Sequence, residues 1–258
     1  MLTFRDRFMA AEAIFGSFVK TPTTHAIEIF GALGFDFVVI DEEHSPFDRA
    51  AIDVALVAAR AARIPALVRI ADSAPSRILS ALDCGAAGIL APHVTDVAGA
   101  RGLAAAARFS GARGYSGATR AAGFGGGGGR GFTSATDAQI IVIAQIEDTA
   151  GVDNAAAIAG VEGIDGLFVG RGDLAVALGA SDSDAPQVME AAKLIAAAAR
   201  AARKPAAAFA ASIAEAASLQ RLGVTMVIAG SDQSFLRRGA TLELAALRAA
   251  AQVELKSQ

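Results

Sequence analysis

The feature that most constrains the fold is an alternation of two kinds of segment along the chain. Short runs of β-branched and other apolar residues alternate with longer alanine-rich stretches of helical character, which is the pattern of repeated β-α units around a parallel sheet. Several runs are continuously apolar, as expected where both faces of a strand are covered. We count eight predicted strands: Ala13–Phe18, Phe37–Ile40, Ala66–Val68, Gly88–Leu90, Ile140–Ile146, Gly166–Val169, Ala206–Phe209 and Met226–Ile228.

Eight parallel strands can close as a barrel or open as a doubly wound sheet, and periodicity does not separate the two. The polar residues do, because charged groups follow directly after several of the predicted strands. In a barrel these strand ends converge on one mouth, where barrel enzymes place their chemistry. The sequence therefore predicts an α/β fold of the (β/α)8 TIM barrel type. The residues that would converge are Asp41, His44, Arg69, Glu147 and Asp173.

Length and charge narrow the class of protein. A chain of 258 residues with 53% hydrophobic content suits one domain over residues 1–258. The net charge of -3 offers no basic surplus, so neither nucleic acid nor an anionic membrane surface is expected as a partner. Cys84 is the only cysteine, which excludes an internal disulfide and fits a cytoplasmic protein. Charged residues interrupt the apolar stretches, so no signal peptide or membrane span is expected.

One segment, at about residues 111–132, has no predicted element and contains the glycine run Gly125–Gly129. Polyglycine resists ordering, so a flexible surface loop is one interpretation. A lid over the active site is the other. No phosphate-binding P-loop is present, because no Gly-Lys-Ser/Thr follows the glycines.

Two acidic residues at strand ends are candidates for a metal site. Glu147 ends the run Ile140–Ile146, and Asp173 lies four residues after Val169. Two carboxylates without cysteine suit a hard, oxygen-seeking ion such as Mg²⁺ or Mn²⁺. Alternatively, each acid caps the helix that follows its strand.

The three histidines differ in their sequence neighbours. His44 lies three residues after Asp41, and Asp83 could approach it through the fold, so a carboxylate is available to orient the imidazole for acid–base work. His93, at the end of the fourth predicted strand, is a competing base. His25 is expected on a helix surface. A structural role for His44 remains the alternative.

The basic residues bear on the mechanism. Arg69 follows a predicted strand, where a guanidinium needs an anion, either a barrel acid or a substrate carboxylate or enolate. Lys20 lies early in the chain, and Lys193 and Lys204 lie within or just after a helix. With no lysine predicted at a strand end, a Schiff-base mechanism is disfavoured.

Taken together, these segments resemble the metal-dependent 4-hydroxy-2-oxoheptanedioate aldolases, class II enzymes of the phosphoenolpyruvate- and pyruvate-binding barrel superfamily. The resemblance spans nearly the whole chain. Several matching stretches in the right order carry it: Phe35–His44, Asp83–Pro92, Arg113–Gly114, Gln145–Glu147 and Val161–Leu174.

The resemblance implies reversible aldol addition and cleavage between pyruvate or hydroxypyruvate and an aldehyde, with Mg²⁺, Mn²⁺ or Co²⁺ as cofactor. It implies that Glu147 and Asp173 are metal ligands. Gln145, Gly172 and Asp173 would hold the 2-oxoacid.

The same resemblance implies roles for four residues near the reacting atoms. Arg69 would bind the donor and stabilise its enolate, His44 would be the base, and Asp83 would increase its basicity, with Asp41 as a further partner of His44. Assembly into a homohexamer, a trimer of dimers, is also implied.

One stretch departs from the family pattern. Where the family reads Gly-Pro-Ala-Asp-Leu-Ser, this chain has Gly170–Ala175, with Arg171 in place of the proline.

Two other functions remain open. An acyl-CoA lyase of the citramalyl- or malyl-CoA type would need a basic surface for the CoA phosphates, and the adjacent basic pairs are Arg203-Lys204 and Arg237-Arg238. A non-catalytic barrel that binds a 2-oxoacid is the third reading.

Overall fold

The computed structural model describes residues 2–127 and 129–256. Its eight strands are all parallel and close into a barrel in sequence order, which confirms the predicted (β/α)8 fold. Each predicted strand is present, with ends shifted by a few residues at most. The strands are β1 Ile14–Val19, β2 Phe37–Asp41, β3 Ala66–Arg69, β4 Gly88–Ala91, β5 Ile141–Ile146, β6 Gly166–Val169, β7 Ala206–Ala210 and β8 Val224–Ser231.

Alternate residues of each strand face two different cores, which explains the continuously apolar runs. In β2, Phe37 and Val39 pack inside the barrel, whereas Val38 and Ile40 pack between the barrel and its helices. Asp41 continues the inward series at the end of the strand and is fully buried. Because successive side chains of a strand alternate between its two faces, the Asp41 carboxylate lies inside the mouth of the barrel.

The helices follow the strands around the barrel. Helices α3, α5 and α7 each begin after an aspartate whose side chain caps the first turn, and α10 ends at Gly223 in the left-handed conformation. Their bounds are α1 Phe4–Met9, α2 His25–Ala32, α3 Arg49–Ala61, α4 Pro75–Asp83, α5 Val97–Ala107, α6 Arg130–Asp137, α7 Thr149–Ala159, α8 Arg171–Ala177, α9 Pro186–Ala201, α10 Ile213–Leu222 and α11 Asp232–Lys256, with a 3-10 turn at Gly123–Gly125.

Helix α1 closes the N-terminal end of the barrel. Its Phe8 is buried within the interior core, and a side chain at Gly166 would come within 2.7 Å of the Phe8 ring. The floor is therefore filled, which leaves the opposite end as the opening.

The glycine-rich segment connects α5 to β5, so it belongs to the N-terminal end of the barrel rather than to the mouth. Arg120 donates hydrogen bonds to Asp53, and the Ala121 amide donates to the Asp83 carbonyl, which places this segment against α3 and α4. Its described residues, 111–127 and 129–132, form no lid over the mouth of their own chain. Gly128, within the glycine run, lies outside the described residues. No helix in the described part of the chain is long and apolar enough to cross a membrane.

Candidate active site

A cavity of about 310 Å³ opens at the C-terminal ends of the strands. Predicted site residues from four separate strand ends line it: His44, Arg69, Gln145, Gly172 and Asp173. A larger cavity of about 760 Å³ lies on the side of the barrel beside α3 and α4. We place the chemistry at the mouth, because the buried charges converge there.

Glu147 follows β5 directly and is buried at the mouth, with 3% exposure. Its neighbour Asp148, not Glu147 itself, caps α7 through the Gly151 amide. One Glu147 oxygen, Oε1, accepts from the His93 amide at 2.7 Å, and Gln145 Nε2 donates to the other, Oε2. The capping alternative is therefore wrong for Glu147.

Glu147 belongs to a three-residue cluster of ligand type with Glu43 and His93. Their ligand atoms lie within 4.8 Å of one another. The His93 ring lies between the two acids, with Nδ1 2.8 Å from Glu147 Oε1 and Nε2 3.3 Å from Glu43 Oε1. His93 has a left-handed φ of 58°, an unusual conformation for a residue other than glycine, and one often found at functional sites.

Sequence reasoning missed Glu43 and treated His93 only as a competing base. The available signal was the run of three acids, Asp41 to Glu43, directly after a buried strand. Because Glu43, His93 and Glu147 lie far apart in the sequence, the sequence did not indicate that they come together.

The electrostatics of the cluster fit a divalent cation. Burial raises the pKa of Glu147, and the carboxylate of Asp173 adds to the rise. Burial also raises the pKa of Glu43, again with a contribution from Asp173. Two buried oxygens, Glu43 Oε2 and Gln145 Oε1, lack a hydrogen-bond partner. Two acids, an imidazole and unpartnered oxygens are the donor set that a hard or borderline divalent ion accepts.

Asp173 lies on the first turn of α8, exposed at the edge of the cavity. Within residues 2–127 and 129–256 its carboxylate accepts no hydrogen bond, and α8 has no side-chain cap, so Asp173 is not a helix cap either. It is not part of the three-residue cluster, although its charge acts on two members of it. Its predicted role as a metal ligand stays a prediction.

The backbone between β6 and α8 forms one wall of the cavity. A side chain at Gly170 would come within 2.5 Å of Glu147 Cβ, so the chain approaches the acid closely here. A side chain at Gly172 would meet nothing within 4 Å. Packing therefore does not require glycine at this position, and the predicted contact of Gly172 with the 2-oxoacid stays a prediction.

Arg69 is held by two acids at the mouth. Its Nε and Nη2 donate to the two carboxylate oxygens of Asp41 at 2.9 and 2.8 Å, Nη1 lies 3.3 Å from Glu43 Oε2, and the guanidinium stacks over Phe18. Burial alone would raise the pKa of Asp41, but Arg69 and the charge of Lys20 hold that pKa below its usual value. The barrel acid offered as one partner of Arg69 is therefore present, and the substrate carboxylate or enolate stays a prediction.

His44 is exposed on the cavity wall, with Nε2 3.7 Å from Glu43 Oε2. Asp41 receives the backbone amide of His44, not its ring. Asp83 lies at the end of α4, where Arg113 donates to it at 2.9 Å, and it lines the larger side cavity. Within this chain, the carboxylate beside the His44 ring is therefore Glu43. The predicted partnership of His44 and Asp83 has no contact in the described residues.

Lys20 corrects the sequence argument about lysines. It follows the last residue of β1, lines the mouth cavity and lies 3.3 Å from Asp41 Oδ2. The premise that no lysine lies at a strand end is thus wrong. Whether this amine forms a Schiff base with a ketone is decided by borohydride trapping.

Arg171, which stands where the resemblance expects a proline, is buried and bonds to the α8–α9 loop, to strand β7 and to helix α10. Its Nη1 donates to Asp184 at 2.6 Å and to the Ser183 carbonyl, and its Nη2 donates to Glu215 at 2.5 Å and to the Phe209 carbonyl. The ordering that a proline would give the loop is supplied here by a network of charged hydrogen bonds.

A filled parallel barrel whose mouth gathers acids, imidazoles and a bound arginine has the architecture of a barrel enzyme. The chain belongs to the HpcH/HpaI aldolase/citrate lyase family, whose model matches residues 15–238, and members of this family named aldolases are carbon–carbon lyases. This confirms the resemblance recognised in the sequence.

Named relatives match along most of their length. The 5-keto-4-deoxy-D-glucarate aldolase of Enterobacter sp. (strain 638) is 35% identical over 94% of this chain and 94% of its own. A solved HpcH/HpaI aldolase/citrate lyase family protein from Burkholderia cenocepacia J2315 is 31% identical, with a TM-score of 0.89 over 95% of this chain and 98% of its own. Citrate synthase SbnG is 29% identical, with a TM-score of 0.86 over 98% of this chain and 100% of its own.

Proposed function

We propose that this chain is a divalent-metal-dependent aldolase that joins pyruvate or a related 2-oxoacid, such as hydroxypyruvate, to an aldehyde and reverses that reaction. The observation that carries the proposal is the cluster of Glu43, His93 and Glu147, in which Glu147 is buried and His93 is exposed, with oxygens on Glu43 and Gln145 that accept no hydrogen bond in the described residues. A named relative acts on a keto-deoxy sugar diacid, which has the 2-oxoacid and hydroxyl pattern of an aldol product.

Glu147 would hold the metal, with Asp173 and the cluster partners Glu43 and His93 as the further candidate ligands. When bound, a divalent cation polarises the donor ketone and makes the C3 proton more acidic. We assign Mg²⁺, Mn²⁺ or Co²⁺, because the donors are mainly carboxylate oxygens.

The chain's own residues would bind and orient the donor. The open backbone at Gly172 and the buried amide of Gln145 form the wall on which a 2-oxoacid would lie. Arg69 lines the cavity, and its Nη1 edge has only the 3.3 Å contact with Glu43 Oε2, while Nε and Nη2 remain bound to Asp41. Charge that develops on the keto oxygen would be met by this preorganised edge, an interaction that strengthens in the transition state.

His44 is the residue best placed to move the proton. Its side chain is 53% exposed and lines the cavity, and Nε2 has Glu43 at 3.7 Å to orient it. We propose that Nδ1, the ring nitrogen that does not face Glu43, takes the proton from C3 of the 2-oxoacid and later delivers it to the aldehyde oxygen. Asp41 would act on His44 indirectly, through the backbone amide that fixes the loop, whereas Asp83 bonds to Arg113 and has no route to His44 in the described residues of this chain.

An acyl-CoA lyase is less well supported. Lys204 donates to the Val161 carbonyl, and Arg238 stacks on Phe235, so neither adjacent basic pair lines the mouth cavity. A non-catalytic barrel that binds a 2-oxoacid differs from the aldolase only in turnover, which the experiment below measures.

The decisive experiment combines metal removal with a trapping test. Chelation should abolish aldol turnover of pyruvate with a panel of aldehydes, and Mg²⁺, Mn²⁺ or Co²⁺ should restore it. Borohydride with pyruvate should leave no covalent adduct on any lysine, Lys20 included. Full activity in excess chelator or a Lys20 adduct would overturn the metal mechanism, and pyruvate binding without turnover would favour the non-catalytic barrel.

We also infer that the chain assembles into a homo-oligomer, with a trimer of dimers as the expected form. The support is the set of exposed leucines on α11, which are Leu236, Leu242, Leu244 and Leu247. Light scattering after size-exclusion chromatography should give a mass of six chains, and a monomer would contradict the inference.

A further inference from the structure

The mouth cavity is lined by three basic side chains, and two of them are held by several partners. Arg69 is bound through Nε and Nη2 to Asp41 and through Nη1 to Glu43. Arg171 is bound through Nη1 and Nη2 to two acids and two backbone carbonyls. Arg171 is committed to these partners, and Arg69 has only its Nη1 edge left for the proposed 2-oxoacid. Neither arginine can therefore bind a second anion on the aldehyde half without giving up a buried partner, which is costly.

Lys20 is the third cation, and its bonding differs. Its ammonium has one contact in the described residues, to Asp41 Oδ2 at 3.3 Å, and that oxygen already accepts from Arg69 Nη2 at 2.8 Å. An ammonium carries three donors, so at least two are free to bind a ligand. The side chain is 27% exposed.

The backbone at Lys20 is fixed even though its ammonium is not saturated. Asp232, at the start of α11, accepts from the Lys20 amide at 2.8 Å and from the Thr21 amide at 3.0 Å. The side chain therefore leaves a rigid point of the mouth, which reduces the entropy lost on binding a ligand.

The position of Lys20 in the barrel separates it from the proposed donor site. It follows β1, and in a closed barrel of eight strands in sequence order β5 lies diametrically opposite. Glu147 follows β5 and Gly172 follows β6, so the donor would lie across the cavity from Lys20. Phe18 and Phe209, with ring centroids 6.1 Å apart, form an apolar stretch of wall on the side of Lys20.

We propose that Lys20 is a specificity-determining residue that binds an anionic group, in the first place a carboxylate, on the aldehyde half of the substrate. This inference rests on the proposed aldol function of the same cavity. The 2-oxoacid would occupy the side of the cavity beside Glu147. The far substituent of the aldehyde would then reach the β1 side, where the Lys20 ammonium has N–H groups free to bind it. Charge-assisted hydrogen bonds of this kind are stronger than neutral ones and reject a substrate that leaves them unmade.

The test compares two aldehydes of equal chain length, succinate semialdehyde and butanal, with pyruvate as donor. Lys20→Met should lower kcat/KM for the carboxylated aldehyde by about 10- to 100-fold and leave the value for butanal within about threefold, since one charged hydrogen bond is lost. Lys20→Arg should retain most of the preference. Lys193→Met, which removes an exposed lysine on α9, is the matched control and should change neither value.

Equal losses with both aldehydes, or no loss with either, would overturn the proposal. The exchange of pyruvate C3 protons in the absence of aldehyde measures the 2-oxoacid half of the reaction separately. Lys20→Met should leave this exchange rate within a few-fold of wild type. If wild type neither exchanges these protons nor turns over, the proposed aldolase function fails. The assignment of Lys20 is then decided by calorimetric binding of succinate, which Lys20→Met must weaken by about tenfold and Lys193→Met must not.

Discussion

Two buried carboxylates at opposite ends of the barrel have opposite surroundings. Asp165, at the N-terminal end, accepts from Arg5 at 2.8 Å, from Arg108 at 2.8 Å and from the Val142 amide at 2.9 Å. Glu147, at the mouth, accepts from the His93 amide and from Gln145. Two further acids lie near it: Glu43 belongs to the same cluster, and Asp173 contributes to the rise in its pKa.

The difference separates a structural acid from a functional one. At Asp165 the negative charge is cancelled by two arginines, so the acid ties α1 and the end of α5 to the barrel floor. At Glu147 the negative charge is only partly compensated, so the site can bind a cation, and the metal-free fold is less stable as a result. Barrel enzymes divide stability and chemistry between these same two ends.

The variant Glu147→Gln tests most directly whether Glu147 serves metal binding rather than stability. Loss of the charge should abolish metal binding and lower aldol turnover by about 10³-fold, since a bound cation supplies several kcal/mol of transition-state stabilisation. The melting temperature of the metal-free protein should stay level or rise, because a crowded buried charge is removed. Calorimetric titration with Mn²⁺ and thermal unfolding measure the two effects, and unchanged metal binding would refute the assignment.

The reciprocal change is Asp165→Asn. It should lower the free energy of unfolding by about 3 kcal/mol, because Arg5 and Arg108 lose their shared buried anion. Metal affinity and kcat should stay near wild type. Glu162→Gln, which neutralises an exposed neighbouring acid, is the control and should shift the denaturation midpoint little. A fall in metal affinity for Asp165→Asn would mean that the two ends are coupled.

Within the mouth, His44→Ala distinguishes proton transfer from binding. We expect turnover and C3 proton exchange of pyruvate to fall by about 10²-fold, the usual scale for a positioned acid–base group, with metal and donor binding retained. His25→Ala is the matched control, because His25 is the exposed first residue of α2. Exchange within a few-fold of wild type would remove His44 as the base and leave His93 as the next candidate.

The smallest effect concerns pH. The pKa values of Glu43 and Glu147 are raised, so the folded metal-free protein holds these protons more tightly than the unfolded chain. The two groups therefore favour folding of the metal-free protein at low pH and oppose it as pH rises through their folded pKa values. A cation must displace the same protons, so its affinity should increase with pH, by up to about tenfold per pH unit for each proton released. The gain in melting temperature on adding Mg²⁺ should widen from pH 5 to pH 8, and a constant gain would contradict the shifts.

The sequence by itself determined the barrel and most of the residues at its mouth. The eight apolar runs specify the strands because each is buried on two sides, and a period of two carries inward facing from Phe37 and Val39 to Asp41. Parallel strands end on the same side, so Arg69 and Gln145 could be placed at the cavity without coordinates.

Only the tertiary structure decided which charges pair. Glu43 reaches Glu147 through His93, whose left-handed backbone turns both its amide and its ring toward the acid, a loop conformation that no periodicity encodes. Asp83 bonds to Arg113 instead of approaching His44, and Lys20 lies beside Asp41 because β1 pairs in parallel with β2, with Val19 opposite Ile40. Sequence fixes a residue's distance from its strand end, whereas its partners depend on neighbouring strands and loops that lie far away in the chain.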